Sequence, residues 1–128
     1  MKKRIIETDK APPAIGPYSQ AIRIGDLLYT SGQIALDPIS GEFVSGEIEQ
    51  ETQQTIQNIL AILQADGMSL DDVIKTTVYL SDMNHFSRMN QVYEKYFIKN
   101  KPARACVQVA ALPKGAKVEI DAIAISSL

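Results

Sequence analysis

Arg104 and Glu119 are the residues of this chain best suited to chemistry on a small acid. They lie between Pro102 and Ala124, where two apolar-rich segments are joined by Pro113, Lys114 and Gly115. An Arg on a rigid strand presents a planar fork that can make two parallel hydrogen bonds to a carboxylate. A Glu nearby can steer a water or a proton. Side chains two apart on a strand share a face, so Arg104, Cys106 and Gln108 point one way and Ala105, Val107 and Val109 the other. Same-face neighbours stand roughly 6.5–7 Å apart, close enough for Arg104 and Cys106 to line one small pocket. If the two strands pair, Glu119 closes that pocket.

Each residue also has a plainer role open to it. Arg104 can be a structural salt bridge to Glu119 or Asp121, and the bare residues leave both readings standing. Cys106, with no evident His partner, reads as a small buried hydrophobe rather than a thiolate nucleophile. Glu119 alone is more often a solvated strand carboxylate. Tyr18 follows Gly16-Pro17, a rigid lead-in that suggests placement. His85 sits at an expected helix start, exposed, and is given no role. Asp71-Asp72 starts a turn or caps a segment. Gly41, Gly46 and Gly115 lack phosphate-loop spacing.

The elements that must position these residues are readable from pattern. Lys3 to Glu7 suits a short edge strand. Ala11 to Tyr18, with three prolines and a glycine, is an ordered loop. Gln20 to Ile24, Gly25-Asp26 and Leu27 to Ile34 form a hairpin. Residues 37–41 are turn chemistry, with a short strand at Glu42 to Val44. A helix runs from Ile48 to Ala65 with Ile56, Ile59, Leu60 and Leu63 on its apolar face, and Gly67 stops it. Val73 to Leu80 is a strand with Ile74, Thr76, Val78 and Leu80 on one face. A second helix, Asn84 to Ile98, buries Phe86, Met89, Tyr93 and Phe97. The last strand, Lys117 to Ser127, has Val118, Ile120, Ala122 and Ala124 on one face. Its other face carries Glu119, Asp121, Ile123 and Ile125. This order predicts an α+β fold: one mostly antiparallel sheet with both helices on one face. The last strand is apolar on both faces and only one can meet helices, so an oligomer is expected.

Composition narrows the function. The 128 residues fit one domain, 1–128, with 45% apolar and 22% charged residues. A net charge of −2 and a pI near 5.3 argue against a nucleic-acid partner. One Cys and one His make neither an internal disulfide nor a structural zinc site, so no metal and no cofactor are expected. The basic start is followed by Glu7, Asp9 and Lys10 rather than a long apolar run, so no signal peptide is expected. Nothing approaches the ~20 apolar residues of a membrane span. A cytoplasmic protein without membrane contact is expected.

Four segments carry a family likeness. They are Pro102-Ala103-Arg104-Ala105-Cys106-Val107 continuing to Leu112-Pro113-Lys114-Gly115-Ala116-Lys117-Val118-Glu119-Ile120, then Ala14-Ile15-Gly16-Pro17-Tyr18-Ser19-Gln20-Ala21, then Tyr29-Thr30-Ser31-Gly32-Gln33-Ile34, and Thr52-Gln53-Gln54-Thr55 with Asn58-Ile59. Together they resemble the RidA (YjgF) family over nearly the whole chain. The resemblance implies a chorismate-mutase-like fold and a homotrimer with clefts between subunits. It also implies hydrolysis of 2-imino acids, chiefly 2-iminobutanoate and 2-iminopropanoate, to 2-keto acids and ammonia. In the family's pattern Arg104 clamps the carboxylate and Tyr18, Ser31, Gly32 and Asn90 line the cleft. The backbone at Cys106 meets the imine nitrogen, and Glu119 orients water. Members without the Arg are not expected to deaminate; this chain keeps it.

A Glu beside an Arg is expected to have its pKa pulled down, which makes it a weak base. A protonated imine hydrolyses unaided, so orienting the water needs little basicity. Two other classes compete: a non-catalytic trimeric sensor of small carboxylates, and a nuclease or translation inhibitor. The same Arg104 would serve a sensor. The acidic pI, the lack of Trp and the single His weigh against nucleic acid.

Overall fold

The computed structural model describes residues 2–44 and 46–126. Its sheet-forming strands are β1 (Lys3–Ile6), β2 (Ala21–Ile24), β3 (Leu27–Thr30), β4 (Val73–Leu80), β5 (Ala103–Gln108) and β6 (Val118–Ile125). Its α-helices are α1 (Ile48–Ala65) and α2 (Phe86–Tyr96). The strands form one sheet in the order β1-β2-β3-β6-β4-β5. All neighbours are antiparallel except β4 and β5, which are parallel and joined through α2. Both helices cover one face, as expected for the α+β class. Ser127, expected in the last strand, lies outside the described residues.

Local chemistry explains the boundaries. The β2–β3 turn is Gly25-Asp26, with Gly25 at φ +56 where a side chain would be strained. Helix α1 ends where Met68 N–H reaches Leu63 C=O at 2.9 Å and Gly67 N–H reaches Gln64 C=O at 3.1 Å. That pair needs the left-handed φ of +73 at Gly67. Asp66, just past the helix, accepts from Arg23 at 2.6 Å and Arg4 at 3.2 Å, tying the helix end to β2 and β1. Helix α2 is shorter than expected, because Met83–His85 is a tighter 3₁₀ turn capped by Asp82. His85 is only half-exposed, with its Nδ1 out of contact with solvent. Glu42 to Val44 supplies a single bridge, Leu36 to Phe43, rather than a strand.

The core lies between the helices and one sheet face. Ile56, Ile59, Ile62 and Leu63 of α1 meet Met89, Val92 and Tyr93 of α2 above Val118, Ile120, Ala122 and Ala124. Leu60, expected in the helix stripe, is half-buried, and Ile62 takes its place. The expectation for β4 also needs correction at one residue. A bulge between Val73 and Lys75 inserts an extra position, so Val73 is buried and Ile74 is 44% exposed. From Thr76 onward the alternation holds.

The opposite sheet face is uncovered within the chain. Ile5, Ile24, Tyr29 and Ile125 are 37–60% exposed on it. Glu119 and Asp121 lie on this face, opposite the wholly apolar face of β6.

Candidate functional site

Consecutive strands β5 and β6 do not pair, because β4 lies between them. Arg104 stands opposite Thr76 on β4, and Glu119 stands opposite Tyr79. Thr76 and Tyr79 are three residues apart, so their side chains leave opposite faces. Arg104 therefore lies on the helix-covered face at the edge strand and Glu119 on the open face. The expected closure of one pocket by both residues does not occur within a chain, nor does a salt bridge from Arg104 to Glu119 or Asp121. Five of the seven sequence-predicted residues fall into two separate clefts, and Ser31 and Cys106 line neither.

The first cleft, of about 340 Å³, contains Tyr18, Gly32, Pro113, Lys114 and Glu119 in its walls. Buried Gln20 pins the loop that carries Tyr18. Its amide donates to the carbonyls of Thr8 at 3.0 Å and Pro12 at 2.7 Å, and its Oε1 accepts from Thr8 N–H at 2.7 Å. Ser31 secures the same loop: its hydroxyl donates to Ser19 C=O and its N–H to Gln20 C=O. Asn58 of α1 holds the following segment by donating to Ile34 and Leu36 carbonyls, both at 3.0 Å. Position 32 faces the Glu119 carboxylate so closely that any larger residue must push that side chain aside. A Cβ there would stand 2.2 Å from Glu119 Oε2 and 2.8 Å from its Cδ. Lys114 turns the far wall with φ +57, a left-handed backbone that costs a non-glycine residue energy.

Glu119 is not the acid-shifted carboxylate expected from an Arg neighbour. Burial, and secondarily Asp121, raise its pKa above the ordinary glutamate value. Asp121 in turn accepts from Tyr79 Oη at 3.1 Å, and burial followed by that carboxylate raises the Tyr79 pKa.

The second cleft, of about 430 Å³, has Asn90, Tyr93, Lys101, Pro102 and Arg104 in its walls. The Arg104 guanidinium carbon lies 4.7 Å from the Tyr93 ring centroid and 5.5 Å from that of Phe86. Its Nη1 donates to Asn90 Oδ1 at 2.7 Å. Cys106, on the same strand face, is half-buried against the core, and burial pushes its thiol pKa up. Cys106 is thus a small, partly buried side chain packed on the core, and it is in the walls of neither cleft.

The two clefts thus hold Tyr18, Gly32 and Glu119 in one and Asn90 and Arg104 in the other. Ser31 buttresses the first, and Cys106 stands one same-face step from Arg104. Pattern reading missed Lys114, Gln20, and the contact of Arg104 with two rings of α2. A signal for the last was present: Asn90 interrupts the apolar stripe between Phe86 and Tyr93, at i+4 and i+7 spacing. No group of His, Cys, Asp and Glu among the described residues is arranged to hold a metal ion.

Comparison with known proteins places these features in a family. Residues 8–126 match the model described as Endoribonuclease L-PSP. The human 2-iminobutanoate/2-iminopropanoate deaminase is 52% identical over 123 residues, covering 96% of this chain and 90% of the human protein. The structure of E. coli TdcF with bound serine superposes with a TM-score of 0.93 at 44% identity, over 97% of this chain and 99% of that one. The E. coli YjgF gene product gives 0.93 at 41% identity, over 97% and 99%. The chain belongs to the RidA (YjgF) family, which the L-PSP model describes.

Proposed function

We propose that this chain hydrolyses 2-imino acids, 2-iminobutanoate and 2-iminopropanoate, to 2-keto acids and ammonia. The observation that carries the reading is Arg104, retained in a chain half identical to a deaminase of that specificity and held in an open cleft. Arg104 binds the substrate carboxylate through its fork, with Asn90 and Tyr18 lining the site. The backbone at Cys106 meets the imine nitrogen. Glu119, seated against Gly32, orients the attacking water and takes its proton. The protonated imine and one water give the ketone and ammonium; the C–N bond breaks as the C–O bond becomes a carbonyl. Serine, bound in the TdcF structure, likewise carries a carboxylate on a short chain.

The working form is a homotrimer of single-domain chains, with each site between two copies. Two observations support this. Arg104 and Glu119 leave opposite faces of the sheet, and the open face carries a run of exposed apolar side chains that a second copy would cover. No described helix is long and apolar enough to cross a membrane, and the lone unpaired Cys106 suits a reducing cytoplasm.

The direct test couples a threonine dehydratase to this protein. Faster release of ammonia from the nascent imine supports the reading, and no acceleration rejects it. Co-expressed Arg104→Ala and Glu119→Gln chains test the shared site. Random mixing restores roughly a quarter of the sites when each draws its Arg and Glu from different copies. A site within one chain recovers nothing.

Gly32→Ala is expected to displace the Glu119 carboxylate without disturbing the backbone, since Gly32 does not occupy the positive-φ region. Turnover should fall by roughly 10- to 100-fold, no further than for Glu119→Gln, as for a misplaced reacting group. Steady-state kinetics alongside thermal unfolding would show it; an unchanged turnover number removes the close-approach argument.

A further inference from the structure

Building on the imino-acid reading, we propose that Tyr93 and Phe86 are positioning residues that set the plane of the Arg104 guanidinium for carboxylate binding. An exposed Arg has four freely turning side-chain bonds, and a bidentate contact requires one orientation of its fork. Here the orientation is constrained from three sides. The two rings lie 4.7 and 5.5 Å from the guanidinium carbon, and Asn90 takes one Nη1 hydrogen at 2.7 Å. Cations over aromatic faces are attracted by the ring quadrupole, and Arg stacks on such faces while its edge donors stay available. Asn90 uses one of the five guanidinium hydrogens, so the remaining edge can meet a carboxylate.

The shelf is referenced to the same rung of the sheet as the arginine. Tyr93 is 6% exposed, and its hydroxyl lies 2.7 Å from Thr76 Oγ1. Thr76 is the register partner of Arg104 on β4. Sheet, Thr76, Tyr93 ring and guanidinium therefore close a loop, and any tilt of the ring is limited by the strand pair that carries Arg104. Phe86, half-buried at the start of α2, supplies the second ring, and Asn90 is one turn further along the same helix face. A lysine has neither the planar fork nor the stacking face, so it cannot use this arrangement.

The test uses Phe86→Leu and Tyr93→Phe, which keep apolar volume, with imine hydrolysis and the NMR signal of Arg104 Nε–H as separate readouts. The signal is assigned by its loss in Arg104→Lys. Expected are a ring-shifted, ordered Arg104 resonance in the unmodified protein and loss of that order in Phe86→Leu. KM should rise about 5- to 10-fold in Phe86→Leu and less in Tyr93→Phe, with turnover within about twofold. The KM penalty of Phe86→Leu should disappear when Arg104 is already Lys, since the shelf then has no fork to orient. A general loss of folding would instead lower turnover in every background. A mobile Arg104 in the unmodified protein, or an unchanged KM in Phe86→Leu, overturns the proposal. Inertness of the unmodified protein toward the imine, with Arg104 ordered by the rings, counts against the imine reading and supports the shelf.

Discussion

Arg104→Ala is expected to remove most activity on 2-iminobutanoate. Losing one partner of a desolvated charge pair costs about 2–5 kcal/mol, or roughly 30- to 5,000-fold in kcat/KM. The loss should fall mainly on binding, because the clamp holds a carboxylate that does not change charge during the reaction. Stability should barely move. Arg104 is exposed on an edge strand, and its neighbours are two rings and one amide. Arg104→Lys keeps the charge but loses the fork, so it should recover only a small part of the binding. Near-normal kcat/KM for Arg104→Ala, measured in the dehydratase-coupled assay, would falsify the site.

Glu119→Gln is expected to lower turnover while raising thermal stability. Turnover should drop by roughly 10- to 100-fold, at or below the low end for a positioned base because the imine is already electrophilic. KM should change little. The stability gain follows from the direction of the pKa shift. Burial and Asp121 raise the folded-state pKa above the ordinary value. The proton is then held more tightly in the folded chain. That stabilisation is complete below the unfolded pKa and is lost as pH rises through the folded one. Once ionised, above its folded pKa, Glu119 is a desolvated charge beside another carboxylate, and Gln relieves both penalties. Unfolding scans should show Glu119→Gln melting above the unmodified protein at pH 7, with the gap closing below the ordinary glutamate range. The acid limb of kcat should lie above that range and move down in Asp121→Asn. A variant no more stable at pH 7, or a limb unmoved by Asp121→Asn, would show that Glu119 is not strained in this way.

The sequence made some of this legible and hid the rest for identifiable reasons. The bounds of helix α1 were readable, because its apolar period ends in a glycine that the helix stop needs, although the stripe took Leu60 where Ile62 is the buried residue. The chemistry of Arg104 was legible from its side chain alone. Its relation to Glu119 was not. Neighbouring strands joined by a Pro/Gly turn suggest a hairpin, whereas the parallel β4–α2–β5 crossover puts β4 between them. The same misplacement reversed the expected shift of Glu119. Burial governs it, followed by Asp121, two residues on along the same strand face, and not the Arg104 of the other cleft. Ile74 was misassigned because alternation assumes one residue per rung, and a bulge breaks that count. The ring contacts of Arg104 join α2 to β5 across the fold, where no local period reports them.

The place of β6 has a consequence for how the chain is made. It follows the other five strands in sequence, yet it sits between β3 and β4, with Ala122 N–H donating to Thr30 Oγ1 across 92 residues. On a ribosome, the β1–β3 unit and the β4–α2–β5 unit emerge first and have no strand to join them. Each presents an unpaired edge, the kind of surface on which nascent chains stick to one another. Only the arrival of β6 closes both edges, and the same strand delivers Glu119 to its cleft. A polypeptide interrupted before Val118 is thus expected to be both inert and prone to aggregate.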